Sequence, residues 1–299
     1  MSAERIGIIG AGKLGCSFAS ALVGKGYSIG GIYSKSNGSQ EYLCHKLGLR
    51  FENDLLKTVS QSDVIFITVP DSQIRAVADH VAEKAGCRDI CKKYFFHMSG
   101  ALTSDELGSI GLKGGYTGSL HPIQTFAERD PGEEIFKGVY FGFEGCDEVK
   151  NIANAIISAL EGHLLNIKKE DKPVYHAAAC VLSNYTVTLS CVAGGLLNRI
   201  GIDAKTGTRA LMPLLENTLK NIKNSAGPEA LTGPVSRGDI NVIEGHIKAL
   251  GETEPNVIEL YRVLGAATVE VALAKGSIDE NAAGKLKRIF NTSGTLIDS

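Results

Sequence analysis

Arg5-Ile-Gly-Ile-Ile-Gly10-Ala-Gly12-Lys13-Leu14-Gly15 is an apolar, strand-like run that ends in Gly-x-Gly-x-x-Gly and passes directly into a helical pattern. A strand, a glycine turn and a helix start in that order form a cradle for a dinucleotide pyrophosphate. Gly10 permits the tight turn, Gly12 lets the backbone approach the phosphates, and Gly15 lets the helix pack close on the strand, with the helix N-terminus facing the anion. Ser17, Ala19, Ser20 and Ala21 continue the helix in small residues, the context that separates this fingerprint from an ordinary glycine-rich turn.

The rest of the first half alternates strands and helices. Ile6 to Ile9, Ser28 to Tyr33, Val64 to Val69, Tyr94 to Met98, Val139 to Phe143 and Leu164 to Ile167 read as strands. Their near-continuous apolar runs mark parallel strands covered on both faces. Ser17 to Gly24, Glu41 to Leu47, Gln73 to Ala85 and Val149 to Leu160 read as the intervening helices, and Leu120-His121-Pro122 as part of a loop. About eight strands are expected, a full doubly wound sheet. From Lys172 onward the pattern is helical, with Pro173 at a plausible first helical position after the charged stretch Lys168 to Asp171. The fold class is therefore α/β: an N-terminal Rossmann doubly wound parallel sheet over residues 1–169 and an all-helical domain over 170–299, with the ligand crevice expected between them.

At 299 residues the chain is long for one core and suits two domains. A formal charge of −2 and a pI near 6.4 give no electrostatic reason to expect nucleic acid or an acidic membrane surface. The apolar runs are interrupted too often to span a bilayer, and the first residues lead straight into a strand rather than a signal peptide. Seven cysteines, at 16, 44, 87, 91, 146, 180 and 191, form an odd set without regular pairing. Free thiols in a cytoplasmic location are the simpler reading, and no zinc-type spacing or other metal site is expected.

The end of the second strand discriminates between cofactors. An NAD site usually carries a carboxylate there, whereas this chain has Tyr33-Ser34-Lys35-Ser36. Two hydroxyls and an ammonium suit a ribose 2′-phosphate, so NADP(H) is expected, although Lys35 also reads as a solvated loop lysine. Val69-Pro70-Asp71 falls at the carboxyl edge of the sheet, where cofactor is met, and equally reads as a strand stop. The all-helical second half lacks the region expected to bury a flavin ring.

Reduction of a carbonyl or imine needs a proton donor and a group that stabilises developing charge. The first helix of the second domain, Lys172-Pro-Val-Tyr-His176 continuing to Ser183-Asn184, offers candidates. Lys172 and His176 share a helix face about 6 Å apart, while Asn184 lies about 12 Å beyond His176 and is rotated by roughly 80°. His176 is the expected acid/base, with Lys172 or Asn184 polarising the substrate. The structural alternative makes His176 part of a small-residue packing face. Ser99 and His121 follow strands near the same sheet edge and are expected to face substrate, although His121 equally reads as a satisfied loop histidine. Arg237 either clamps a substrate carboxylate or pairs with Asp239.

Several segments together resemble a known family. They are Gly10-Ala-Gly-Lys-Leu-Gly15, His97-Met-Ser-Gly-Ala, Leu120-His-Pro-Ile-Gln-Thr-Phe126, Tyr175-His-Ala-Ala-Ala with Ser183-Asn184, and Gly233-Pro-Val-Ser-Arg-Gly-Asp239. The chain resembles the Rossmann-like NADP oxidoreductases that carry a helical C-terminal domain of unknown function. That group is similar to a superfamily containing ketopantoate reductase, pyrroline-5-carboxylate reductase and the hydroxyacid dehydrogenases related to 6-phosphogluconate dehydrogenase. The resemblance implies reduction of a 2-oxo acid such as 2-dehydropantoate, with imine reduction or non-catalytic NADP(H) sensing as alternatives. The superfamily often places an Asn four or eight residues after a Lys on this helix. Here His176 and Cys180 interrupt that pattern, which leaves His176 as the most economical proton donor. A homodimer through the helical half is also expected, on its small-residue faces Ala177 to Ala179 and Ala193-Gly194-Gly195.

Overall fold

The computed structural model describes residues 4–50, 53–130, 132, 134–225 and 227–291. Among them one seven-stranded sheet is formed by β1 (Ile6–Ile9), β2 (Ile29–Tyr33), β3 (Val64–Ile67), β4 (Tyr94–His97), β5 (Tyr116–Pro122), β6 (Tyr140–Gly145) and β7 (His163–Asn166). The strand order is β2-β1-β3-β4-β5-β6-β7, parallel throughout except that β5 meets β6 antiparallel. The chain leaves β1 toward β2 on one side and returns to β3 on the other. This makes the carboxyl ends of β1 and β3 the switch point where a doubly wound sheet opens a crevice.

The helices of this half are α1 (Lys13–Gly24), α2 (Asn37–Lys46), α3 (Leu55–Ser60), α4 (Asp71–Lys84), α5 (Cys87–Ile90), α6 (Gly108–Gly111) and α7 (Asp147–Ala159). They cover both faces, and strand periodicity divides the core accordingly. Ile6, Ile8, Val64 and Phe66 join one cluster with Phe18, Phe96, Phe141 and the α7 residues Val149, Ile152, Ala153 and Ile156. Ile9, Ile65 and Ile67 point the other way, onto Ile74, Ala78 and Val81 of α4. Phe18 sits edge-on to Phe66 at 4.7 Å and to Phe136 at 5.4 Å, contacts that each add about 0.5–1.5 kcal/mol beyond burial.

Two departures from the sequence reading have simple causes. Leu120, His121 and Pro122 belong to β5 and not to a loop. The strand is hidden in the sequence because its buried interior contains Gly118 and Ser119, and Gly118 has no room to be larger: a Cβ there would stand 3.0 Å from Val149 and 3.1 Å from Phe96. Helices also begin earlier than their apolar periodicity, with α1 starting at Lys13, α2 at Asn37 and α4 at Asp71. First-turn residues face solvent or ligand and carry little hydrophobic signal.

The helical half comprises α8 (Lys172–Arg199), α9 (Ala204–Ser225), α10 (Pro234–Arg237), α11 (Ile240–Thr253), α12 (Pro255–Lys275) and α13 (Glu280–Asn291). The chain divides into compact units 1–184 and 185–299, so the division runs through α8, fifteen residues beyond the expected 169/170 boundary where the pattern changes. The first turns of α8 join the sheet unit because Lys172 is buried against strand ends. In the second unit the buried core is Val235, Ile243, Val269, Ala272, Ala283, Leu286 and Phe290, drawn from α10 to α13. The helical stretch Lys169–Arg199 contains an 18-residue window of mean hydropathy 1.4, long and apolar enough to cross a membrane by length and composition alone. Its Ser, Thr and Gly residues dilute the apolar run without breaking it.

Gly15 shows how tightly the first turn is built. A Cβ on it would stand 2.0 Å from the Gly10 carbonyl oxygen and 2.6 Å from Thr68 Oγ1, so α1 would have to move off the sheet. Gly15→Ala is expected to lower unfolding stability by about 1–3 kcal/mol, measured by urea denaturation.

Candidate active site

Two pockets lie along the carboxyl edge of the sheet. Register sets Tyr33, Ile9, Ile67, His97 and Ser119 in one row across β2, β1, β3, β4 and β5, and the residues after that row form the site.

The first pocket, of about 460 Å³, is lined by Gly10, Gly12, Ser34, Lys35, Ser36, Ser39, Val69 and Pro70, with Thr68 and Gln73 at its wall. Gly10 holds φ +113°, a conformation natural to glycine, and its missing Cβ leaves room for the Thr68 carbonyl at 2.9 Å. No atom approaches within 4 Å of a Cβ built on Gly12, so the backbone there is open to a ligand. Gly12 caps α1 without a side-chain hydrogen bond, which leaves the first-turn N–H groups for an anion. Gln40 holds the loop after β2: its side-chain oxygen accepts from Ser34 N–H at 3.1 Å and its amide donates to Ile32 O at 2.5 Å. Among the described residues no carboxylate lines this pocket. The residues fit a phosphorylated dinucleotide, with glycine backbone at the pyrophosphate and Ser34, Lys35 and Ser36 at the ribose. Lys13, Leu14 and Gly15 lie in the first turn of α1, where Leu14 packs on the core. Asp71 opens α4 and accepts a hydrogen bond from Ser99 Oγ at 2.6 Å.

The second pocket, a cleft of about 370 Å³, is lined by His121, Ile123, Gln124, Thr125, His176, Ala179, Cys180, Leu182, Ser183 and Asn184. Three of the expected residues, His121, His176 and Asn184, therefore meet in one place. His176 and His121 lie edge to face with centroids 5.8 Å apart. Gly100 makes that possible, since a Cβ on it would stand 2.5 Å from His176 Nδ1 and 2.9 Å from His121 Cε1. His176 Nδ1 is buried without a hydrogen-bond partner, and Nε2 is 3.6 Å from Cys180 Sγ one turn along.

Lys172 and Ser99 stand one layer beneath the cleft. Lys172 is 2% exposed, and its ammonium donates to Ser119 Oγ at 2.5 Å and to Ser99 O at 3.3 Å. Burial pulls Lys172 down to about 8, while the Glu144 and Asp71 carboxylates act to hold the proton. Ser99 N–H donates to His97 Nδ1 at 3.2 Å, and His97 Nε2 meets Thr103 O at 2.9 Å, which fixes the neutral tautomer with its proton on Nε2. Burial also lowers the His97 pKa. Arg237 and Asp239 lie in the second unit and pair with each other at 2.8 Å. Among the described residues no group of three His, Cys, Asp or Glu side chains could hold a metal ion.

Sequence reasoning missed Tyr175. Its hydroxyl lies 2.8 Å from His121 Nδ1, and the ring occupies the place a side chain on Gly142 would take, the Oη being 2.4 Å from a Cβ built there. Gly142 is the β6 residue in register with His121, so a glycine opposite a histidine was the available signal. Burial pushes Tyr175 up to about 12 and His121 down to about 4, the latter reinforced by the His176 and Lys172 charges. The phenol donates and the neutral imidazole accepts.

Comparison with known proteins follows this geometry. Residues 5–87 match the family model described as NADP oxidoreductase coenzyme F420-dependent, and residues 139–268 match a Domain of unknown function (DUF2520). The N-terminal unit has a Rossmann-like fold. Protein TM1727 from Thermotoga maritima is 28% identical with a TM-score of 0.72, covering 91% of this chain and 99% of that one. BF3122 from Bacteroides fragilis, provisionally described as an NADP oxidoreductase, is 24% identical with a TM-score of 0.70, covering 89% and 98%. An imine reductase from Myxococcus stipitatus in complex with NADP+ is 17% identical with a TM-score of 0.61, covering 95% and 99%. No curated protein matches the chain.

The His121 environment has a measurable signature. Because its folded pKa of about 4 lies below the ordinary 6.5, the unfolded chain binds the proton first, and this group lowers stability as pH falls from 6.5 toward 4. Histidine NMR is expected to show one imidazole titrating near pH 4. Gly142→Ala, which displaces the phenol, is expected to move that titration up toward 6.5.

Proposed function

We propose that the protein is an NADP(H)-dependent reductase that converts a small C=O or C=N substrate in the cleft of His121 and His176. The observation that carries this reading is the single sheet edge that holds both pockets, with Gly10, Ser34 and Val69 after β1, β2 and β3 at one and His121 of β5 at the other. The bound nicotinamide would supply the hydride. The chain's own residues supply the rest. His176 delivers the proton to the substrate heteroatom, Asn184 and Thr125 orient the substrate, and the Lys172 ammonium, buried on Ser119 Oγ and Ser99 O, adds the field of its positive charge.

A 2-oxo acid such as 2-dehydropantoate is the substrate suggested by the sequence resemblance. For the alternative, an imine, a specific observation favours the C=N group itself, though not the carboxylate that a pyrroline-5-carboxylate would add. Among the described residues no lysine or arginine lines the cleft, and Ile123, Ala179 and Leu182 make much of its wall apolar. A carbonyl oxygen accumulates negative charge and needs a strong donor, whereas a protonated imine is already electrophilic and needs less. The likeness to the Myxococcus stipitatus imine reductase agrees with that reading.

All seven cysteines are free, which supports a reducing, cytoplasmic location. In the second unit Tyr185, Val187, Leu189, Leu214, Leu219 and Ile222 are exposed on α8 and α9, while the unit's core draws on the later helices. We propose that a second copy covers exposed apolar side chains of these two helices as a homodimer. Light scattering is expected to give twice the chain mass, and Val187→Glu with Leu214→Glu to give the monomer.

Catalysis is tested by following NADPH oxidation against a panel of 2-oxo acids and cyclic imines. His176→Ala is expected to lower kcat about 100-fold with the NADPH Kd unchanged. Tight NADPH binding without turnover of any member would favour a sensor over an enzyme.

A further inference from the structure

The chain between β5 and β6 begins at the cleft, with Ile123, Gln124 and Thr125 in its wall. Phe126 and Phe136 anchor it to the core. Its middle reaches α2, where Asp130 pairs with Lys46. The neighbouring Arg129 donates from Nη2 to Ser39 Oγ at 3.0 Å, and its guanidinium carbon lies 5.7 Å from the centre of the Tyr42 ring. Ser39 lines the nucleotide pocket together with Ser34, Lys35 and Ser36. Burial raises the Cys16 thiol in α1, and the Arg129 and Lys46 charges act against that rise, so both cations stand within electrostatic reach of the glycine turn.

We propose that Arg129 is a specificity residue for the cofactor, pairing with the ribose 2′-phosphate at the Ser34-Lys35-Ser36-Ser39 end of the pocket. The inference rests on the NADP(H) reading above and adds to it a cation from a distant part of the chain. A phosphate monoester dianion asks for more than one cation, and Lys35 supplies a point charge only. Arg129 has five N–H donors, of which one is used on Ser39, so a planar pair of donors is left for two phosphate oxygens. The Lys46 ion pair neutralises Asp130, the carboxylate next to Arg129 that would otherwise repel the ligand. Tyr42 beneath the guanidinium holds it on α2.

The test measures dissociation constants of NADPH, NADH and 2′,5′-ADP by calorimetry on the full chain, for the unmodified protein, Arg129→Gln and Arg129→Lys. Arg129→Gln is expected to weaken NADPH and 2′,5′-ADP about 10- to 100-fold, the loss of one charge-assisted contact, and to leave NADH within twofold. Arg129→Lys is expected to recover part of the loss. An unchanged NADPH constant in Arg129→Gln overturns the inference and leaves the cofactor reading standing. An equal loss for NADPH and NADH also overturns it, since the segment would then act on the pocket as a whole. If the unmodified protein binds neither dinucleotide, the cofactor reading fails and the inference falls with it.

Discussion

Lys172 places an ammonium under the carboxyl ends of β4 and β5, with hydrogen bonds to Ser119 Oγ and Ser99 O and the Glu144 and Asp71 carboxylates near enough to favour its charge. An unpaired cation in such a position costs several kcal/mol, so those partners determine where the start of α8 can sit. A helix is stiff, and fixing its first residue fixes those three and four positions later. Tyr175 then falls on Gly142 and His176 on Gly100, and both rings reach His121. The cleft is thus a consequence of where one buried charge finds its partners.

The surrounding layer is equally constrained. Glu144, 4% exposed, accepts from Ser104 N–H at 2.6 Å and Ser104 Oγ at 2.8 Å, which ties the segment after β4 to β6. Ser99 joins that segment to α4 through Asp71 and also accepts from the N–H groups of Ala101 and Leu102. Each polar group below the cleft therefore has a stated partner. His176 Nδ1 is the exception, and an unsatisfied buried nitrogen beside a cleft is a common mark of a functional group.

The fold was legible in the sequence wherever burial follows side-chain size. Ile6 to Ile9 and Val64 to Ile67 are fully buried apolar strands, and the glycine turn between β1 and α1 lies where its spacing put it. β5 was not legible, because its core positions are filled by Gly118 and Ser119, small for lack of space and not for lack of burial. The same limit applies in the cleft. His121, His176 and Asn184 could be picked out by residue type, but Tyr175 depends on register with β6, and the depth of Lys172 depends on packing no spacing rule encodes. Arg237 and Asp239 carried the right chemistry for a carboxylate clamp, yet their guanidinium and carboxylate satisfy one another.

The β5–β6 segment has a thermodynamic consequence. Ile123, Gln124 and Thr125 form part of the cleft wall, and Arg129 and Asp130 grip α2 only four residues later. Chain of that length spans at most about 14 Å and has little slack to absorb a change at either end. If the proposed nucleotide tightens this stretch through Arg129, a cleft ligand would have less freedom to remove, and by linkage that ligand would raise nucleotide affinity by the same factor. A short tether with a grip at each end is in this sense a device through which filling one pocket would change the energy of filling the other.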